Sequence, residues 1–412
     1  MTKLRVLAWL VAGALLLLLP KLVSTGFQHA LVHAIVFAIF AASFNLASGA
    51  GGMLSFGHSA FLALGAFATL HVMRGVESAT LAFPTVLLPL VGGVTGLIAG
   101  VIVGYFATLR SGVYFSMLTL AFAELFHQMA PNLAFLFGGE TGISSIRMSS
   151  IGISFENDLQ VYYLVLAWGV FCMGLLWLYM QTPFGRLTLA LRENEQRLKF
   201  FGFNVHTSKV IVFSISASIA GTAGALLAIS NESANYDLFS MTYSANVLLY
   251  TFIGGAGLFL GAPLGAAILT LTAFAVTNTT HIWLLYQGLL FVLLMMYAPG
   301  GFGHIVARNI EIHREGRLAP LAGPYLFAVI PAASLMAAVV FLCEALSVLL
   351  SREYAAKRVS GGGRWVPAEF LGTSWEPSSL GTWAVPAGLL LVGTLTLPVA
   401  VRMIGPLVRR HD

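Results

Sequence analysis

The run at 81–108, LAFPTVLLPLVGGVTGLIAGVIVGYFAT, contains 28 residues and no charge. About 20 apolar residues suffice for a helix to cross the hydrocarbon core of a bilayer. The run therefore predicts a transmembrane helix. Inside it Gly92, Gly96, Gly100 and Gly104 recur every four residues, which places them near one helix face. In lipid, packing rather than hydrophobicity drives helix association, and small residues let backbones approach. The glycine face predicts a tight helix contact and carries no information about a substrate.

Outward from this run the chain repeats the pattern. Further apolar runs fall at 28–47, 58–74, 112–130, 161–180, 208–230, 243–258, 261–279 and 282–298, with two more at 325–349 and 384–404. Val6–Val23 follows Lys3 and Arg5, and no A-x-A-like cleavage site follows it. It is expected to be a retained first span rather than a signal peptide. The composition agrees: 58% of the 412 residues are hydrophobic and 9% are charged, against about 25% charge in a soluble domain. The fold class expected is an all-α polytopic membrane protein, with about ten core spans or broken helices and about two C-terminal ones. The basic residues behind the net charge of +5 sit in short loops, which reads as a topology signal and not as a nucleic-acid surface. Cys172 and Cys343 both lie in apolar runs, so neither a disulfide framework nor a metal site is expected.

Orientation follows from the positive-inside rule. The loop 181–209 carries Arg186, Arg192, Arg197, Lys199 and Lys209 and reads as cytoplasmic. The loops 131–160 and 231–242 carry Glu140, Glu156, Asp158, Glu232 and Asp237 against Arg147 and read as outside. Alternate counting from a cytoplasmic Lys3/Arg5 end gives the same sides. The cations Arg352, Lys357, Arg358 and Arg364 fall in a loop that the same count puts outside.

Two Gly-rich segments interrupt the apolar pattern: SGAGGMLSFGHSAFLALG at 48–65 and GGAGLFLGAPLGAA at 254–267. Glycine, and Pro263 in the second, weaken a continuous helix. Non-helical backbone at membrane depth persists only where protein or a water-filled cavity covers it. Matching breaks in two halves of a chain point to a translocation path, and close packing is the competing reading. Intramembrane ionisable residues are few. Glu124 and His127 share a face of one apolar run and form the basis of an alternative reading, a proton-coupled secondary transporter.

The loop segment Thr182–Ser208, TPFGRLTLALRENEQRLKFFGFNVHTS, mixes apolar and charged residues between Pro183 and Gly202. It predicts a short amphipathic helix, too polar to cross. Such a helix either lies on lipid headgroups or docks into the groove of a cytoplasmic partner.

The block FGRLTLALRENEQRLKFFGFNVHTSKVIVFSISASIAGTAGAL, from Phe184, resembles the coupling-loop region of the branched-chain amino acid ABC transporter permeases. So do FNLASGAGGMLSFGHSAFLALGAF from Phe44, GGAGLFLGAPLGA from Gly254 and YAPGGFGHI from Tyr297. The four blocks occur in family order and span about residues 27–308. The resemblance implies a permease core at 27–308; the apolar runs add an N-terminal span at 1–26 and two spans in a C-terminal extension, 309–412, that goes beyond the usual family end. It also implies a bacterial inner-membrane importer of branched-chain or related hydrophobic amino acids, or of urea or short amides, working by alternating access.

The partners implied are a homologous second permease, two cytoplasmic ATPase subunits and a periplasmic substrate-binding protein, with membrane lipid around the spans. ATP and Mg would sit on the partner subunits, because this chain has no G-x-x-x-x-G-K-[ST] loop. No catalytic or metal-ligating residue is expected here. Residues 184–202 would be the coupling helix, with Arg186, Arg192, Glu193, Glu195, Phe201 and Gly202 as its coupling residues. Asn45, Ser55, His58, Gly254, Gly255 and Gly257 would belong to the translocation pathway. The general ABC pattern E-A-A-x-x-x-G is replaced here by a bulkier, more basic stretch, Gln196 to Gly202.

Overall fold

The computed structural model describes residues 13, 16–148, 155, 157–277, 280, 282–297, 300–314, 318–360, 365–370 and 372–408. Seven helices among them are long and apolar enough to cross a membrane, and Gly261–Thr277 and Trp283–Met296 are shorter apolar helices. The chain is an all-α polytopic membrane protein. It falls into two compact units, Met1–Phe274 with Leu293–His304, and Ala275–Val292 with Ile305–Asp412. Of the Val6–Val23 run, residues 16–22 are helical, and most of the rest lies outside the described residues.

The first unit is built on α1 (Thr25–Asn45), α2 (Ser59–Glu77), α3 (Leu88–Ala107), α4 (Val113–Met129) and α5 (Asp158–Gln181). The short helices α6 (Pro183–Glu193) and α7 (Glu195–Phe200) follow, then the long α8 (Val205–Asn231). α9 (Met241–Gly254) and most of α10 (Gly261–Thr277) complete its sequence up to Phe274. α8 is the hub, and α1, α2 and α3 all pack against it. It can serve all three because its buried stretch is rich in small residues, from Ser214 and Ala217 to Gly221, Gly224 and Ala228.

The glycine face of α3 meets α8, as its spacing predicts. A Cβ at Gly96 would lie 3.1 Å from the Gly221 Cα, and one at Gly100 2.9 Å from the Ser214 Cα. A Cβ at Gly92 would come within 2.6 Å of the Ala225 Cβ. Gly65 of α2 reaches the same place, where its Cβ would lie 2.6 Å from the Gly221 Cα. Three helices thus touch backbone to backbone around Gly221. Opposite this contact α3 shows Leu90, Val94, Ile98, Val101 and Ile102 on its exposed side, which suits lipid.

At one end of the unit the two acidic loops come together. β1 (Ile143–Ser144) pairs antiparallel with β2 (Ser233–Ala234). Beside this ladder Arg147 Nε donates to Glu232 Oε1 at 2.8 Å, and Ser145 Oγ donates to Glu77 Oε2 at 2.8 Å. Arg147 Nη2 lies 3.9 Å from Asp158, which His29 approaches at 3.1 Å. Both loops were assigned to one side from their charge, and they meet.

The run expected at 243–258 stops earlier. α9 ends at Gly254 because Gly255 takes φ +116, outside the helical region, and Gly257 takes φ +89. α1 instead continues one wide π-type turn, Leu46–Ala50, into the first Gly-rich segment.

The second unit contains residues of α11 (Trp283–Tyr297) and α12 (Gly301–Arg314), then α13 (Leu318–Leu349), α14 (Arg352–Ser360) and α15 (Leu380–Val408). α13 packs along α15. The loop between them folds into a hairpin, β3 (Ala368–Phe370) with β4 (Thr373–Trp375). Phe370 stacks on Trp375 there and Phe341 meets both edge-on, with centroids 4.9–5.9 Å apart. Two of the cations that conflicted with the charge rule are engaged locally: Lys357 pairs with Glu353 at 2.7 Å and Arg358 lies 4.2 Å from the Trp365 ring. The Lys357 hydrogen bond and charge hold the Glu353 carboxyl below its usual pKa. Arg364 lies outside the described residues. Within this unit the buried Glu344 accepts a 2.9 Å hydrogen bond from the Tyr286 hydroxyl.

Candidate functional site

The two Gly-rich breaks meet. Asn45, the last residue of α1, accepts a 2.9 Å hydrogen bond from the Gly257 N–H at its Oδ1. Its Nδ2 donates to the Leu258 carbonyl, also at 2.9 Å. One buried amide therefore satisfies two backbone groups of the opposite break, which are released because the chain there is not helical. The fit is close. A Cβ at Gly49 would overlap Asn45 Oδ1 and lie 2.8 Å from the Gly257 nitrogen. The glycines of the second break serve its own turn: a Cβ at Gly254 would lie 2.9 Å from the Gly265 Cα, and one at Gly301 2.7 Å from the Gly255 Cα.

The segment 183–202 lies beside this junction. α6 starts at Pro183, and Thr182 Oγ1 caps it by accepting the Gly185 N–H at 3.1 Å. The single helix expected here is two. Asn194 takes an extended conformation, φ −160 and ψ 100, and its Oδ1 accepts the Arg197 N–H at 3.0 Å. An asparagine that caps the next helix ends the first one. Gly202, at φ +84, and Asn204, whose Oδ1 accepts the Thr207 N–H at 3.1 Å, close the segment and start α8.

The six residues expected to couple separate into two groups. Arg186, Glu193, Phe201 and Gly202 face outward. Phe200 and Phe201, at 90% and 72% exposure, form with Phe203 an apolar tip on a segment that carries four cations and two acids. Glu195 is half-buried, and Arg192, although exposed, reaches a polar partner. Arg192 Nη1 donates to the Gly49 carbonyl. Glu195 pairs with the buried Lys209 of α8, whose Nζ also donates to Ser111 Oγ at 2.8 Å.

A family model described as branched-chain amino acid transport system / permease component matches residues 26–299. The chain belongs to this permease family. The matched region takes in both Gly-rich breaks and the whole 183–202 segment. The chain is 28% identical over 308 residues to the high-affinity branched-chain amino acid transport system permease protein LivM of Salmonella typhimurium, covering 68% of this chain and 71% of that protein. It is 27% identical to the Escherichia coli protein of the same name over the same shares. A probable branched-chain amino acid transport permease protein of Methanocaldococcus jannaschii is 28% identical over 33% of this chain and 46% of that protein. No solved structure matches.

The remaining candidates of this family member are placed as follows. His58 has no exposed surface. Its Nε2 lies 3.1 Å from Ser43 Oγ and 3.4 Å from Ser216 Oγ. Phe40, Phe44, Phe61 and Phe213 surround the ring with centroids 5.5–6.4 Å away. Ser55 is equally enclosed, and its hydroxyl has no partner among the described residues. Glu124 is exposed and accepts from Gln128 Nε2 at 2.7 Å, whereas His127 Nδ1 lies 3.2 Å from the Tyr236 carbonyl. The two share a helix face but bond to different groups. Glu124→Gln is therefore expected to leave uptake within about twofold of wild type, the usual range for exposed positions. A loss of pH-dependent uptake in that variant would restore the proton-coupled reading.

Sequence reasoning missed Asn194, Ser111 and Phe203. An N-cap asparagine three residues before Arg197 was a usable signal for the first. Only the folded chain brings Ser111 to Lys209.

Proposed function

We propose that this permease is a translocation subunit of an ATP-driven importer of branched-chain or related hydrophobic amino acids, working in a bacterial inner membrane. Residues 27–308 are its core and 309–412 an extension. It assembles with a homologous second permease, two cytoplasmic ATPases that carry ATP and Mg, and a periplasmic binding protein. The observation that carries this reading is the exposed aromatic tip Phe200/Phe201/Phe203 on a segment that also touches the junction of the two breaks. An apolar tip rimmed by Arg197 and Lys199 suits the groove of a soluble partner. Motion of the tip would reach the membrane interior through the same segment. The names of the Salmonella and Escherichia relatives support the substrate class. Alternating access follows if ATP binding favours one arrangement of the segment over another, because only differential contacts shift such an equilibrium.

The test is co-purification from native membrane followed by reconstitution. ATPase subunits are expected to accompany the chain. Replacing Phe201 and Gly202 together with Asp is expected to lower uptake by at least about tenfold, the scale of a lost interface anchor, while the protein still inserts. Absence of any ATPase, or normal uptake in the double variant, would overturn the reading.

A further inference from the structure

Arg192 does not do what the sequence suggests for a charge on an amphipathic loop helix. It sits in the last turn of α6 and is exposed like a solvated rim cation, yet its guanidinium also reaches the edge of the junction of the two breaks, where Nη1 donates to the Gly49 carbonyl. Three glycines make room for it. A Cβ at Gly52, φ +68, would lie 3.3 Å from the Cα, Cβ and Cγ of Arg192. A Cβ at Gly257, φ +89, would lie 3.0 Å from Nη1. Gly49 supplies the carbonyl that accepts the hydrogen bond. Two of these glycines belong to the first break and one to the second, and Asn45 clamps the second break at that same Gly257.

We infer that Arg192 is the positioning residue that connects the 183–200 segment to the Asn45 junction, so that displacement of the segment is transmitted to both broken helices at one point. This rests on the coupling reading above and deepens it. Among the described residues, no other side chain of 183–200 is hydrogen-bonded to either break. Thr188 bonds to Tyr179 of α5, and Glu195 holds the base of α8 through Lys209. These contacts fix the segment to neighbouring helices. The Arg192 contact alone reaches Gly49 and Gly257 together. A guanidinium suits the role because its planar fork can donate to a carbonyl while its stem lies flat against backbone at Gly52. A lysine ammonium keeps the charge but not the plane.

The test uses the complete transporter in proteoliposomes, with uptake and ATP hydrolysis measured on the same sample. Arg192→Gln is expected to lower uptake per ATP hydrolysed by about tenfold, within the usual range of a coupling term, while the ATPases still co-purify. Arg192→Lys is expected to recover part of that ratio. Gly52→Val, with Arg192 intact, is expected to reproduce the loss by occupying the space of the stem. A merely structural role would lower the amount of assembled transporter and leave the ratio unchanged. A wild-type ratio in Arg192→Gln overturns this inference alone. Failure of the wild-type chain to bind or respond to ATPases overturns the coupling reading beneath it.

Discussion

Asn45→Ala is expected to abolish uptake and to lower the thermal stability of the purified chain. The amide is 7% exposed and makes two 2.9 Å hydrogen bonds to backbone. Its removal leaves the Gly257 N–H and the Leu258 carbonyl without that partner, the first at an exposed residue and the second at a half-buried one. Each lost hydrogen bond is worth about 0.5–1.5 kcal/mol net, so the junction loses roughly 1–3 kcal/mol. Asn45→Asp separates the two bonds, because it keeps an acceptor for Gly257 and loses the donor to Leu258. It is expected to be no better than alanine, since it adds a charge at a buried site. The readouts are uptake in proteoliposomes and the melting temperature in detergent. Full uptake with an unshifted melting temperature would show that the clamp is dispensable.

Gly221→Val is expected to remove folded protein altogether. The Cβ position at Gly221 already lies 3.0 Å from the Gly96 Cα and from the Gly92 carbonyl carbon, both backbone atoms that cannot yield separately. Forcing extra carbons into a packed contact costs about 1–3 kcal/mol, and more where backbone must move. In lipid no hydrophobic gain offsets the loss, because the separated helices meet lipid chains as apolar as their own side chains. The expected result is at least a roughly tenfold drop in detergent-stable yield, the response of a marginal fold to a change of this size. Gly104→Ala is the control. Its Cβ would meet the Phe213 ring edge at 3.1 Å, which a small rotation relieves, so the yield should stay near wild type. Equal yields for both variants would refute the backbone-contact account.

These two sites differ in how far the sequence reveals them. The spans were legible because apolar length is a local property. The glycine face of α3 was legible because its spacing is periodic. Its partner was not, since nothing local to 92–104 names Gly221 or Ala217. Asn45 and Gly257 were each singled out as members of a broken segment, but the hydrogen bond between them joins residues 212 positions apart. The direction of Arg192 was hidden for a different reason. An amphipathic pattern assigns a charge to the polar face, and here glycines on two other elements open a slot that receives it. The break at Asn194 was misread as continuous helix because polar residues on either side have good helix propensity. The pattern outweighed the capping signal.

The contact at Gly221 also sets an order of events during synthesis. α3 is complete at Ala107, and α8 does not begin until Val205, about 100 residues later. At a synthesis rate of ~5–20 residues per second, the glycine face of α3 waits roughly 5–20 s before its main partner exists. For that interval a helix made for backbone contact has α2, α4, lipid or the insertion machinery against it, but not α8. A nascent chain stalled before residue 205 should therefore hold α3 loosely, and one stalled after Asn231 should hold it firmly. Cross-linking from residue 96 to the surrounding lipid or insertion apparatus would mark the moment at which the bundle closes.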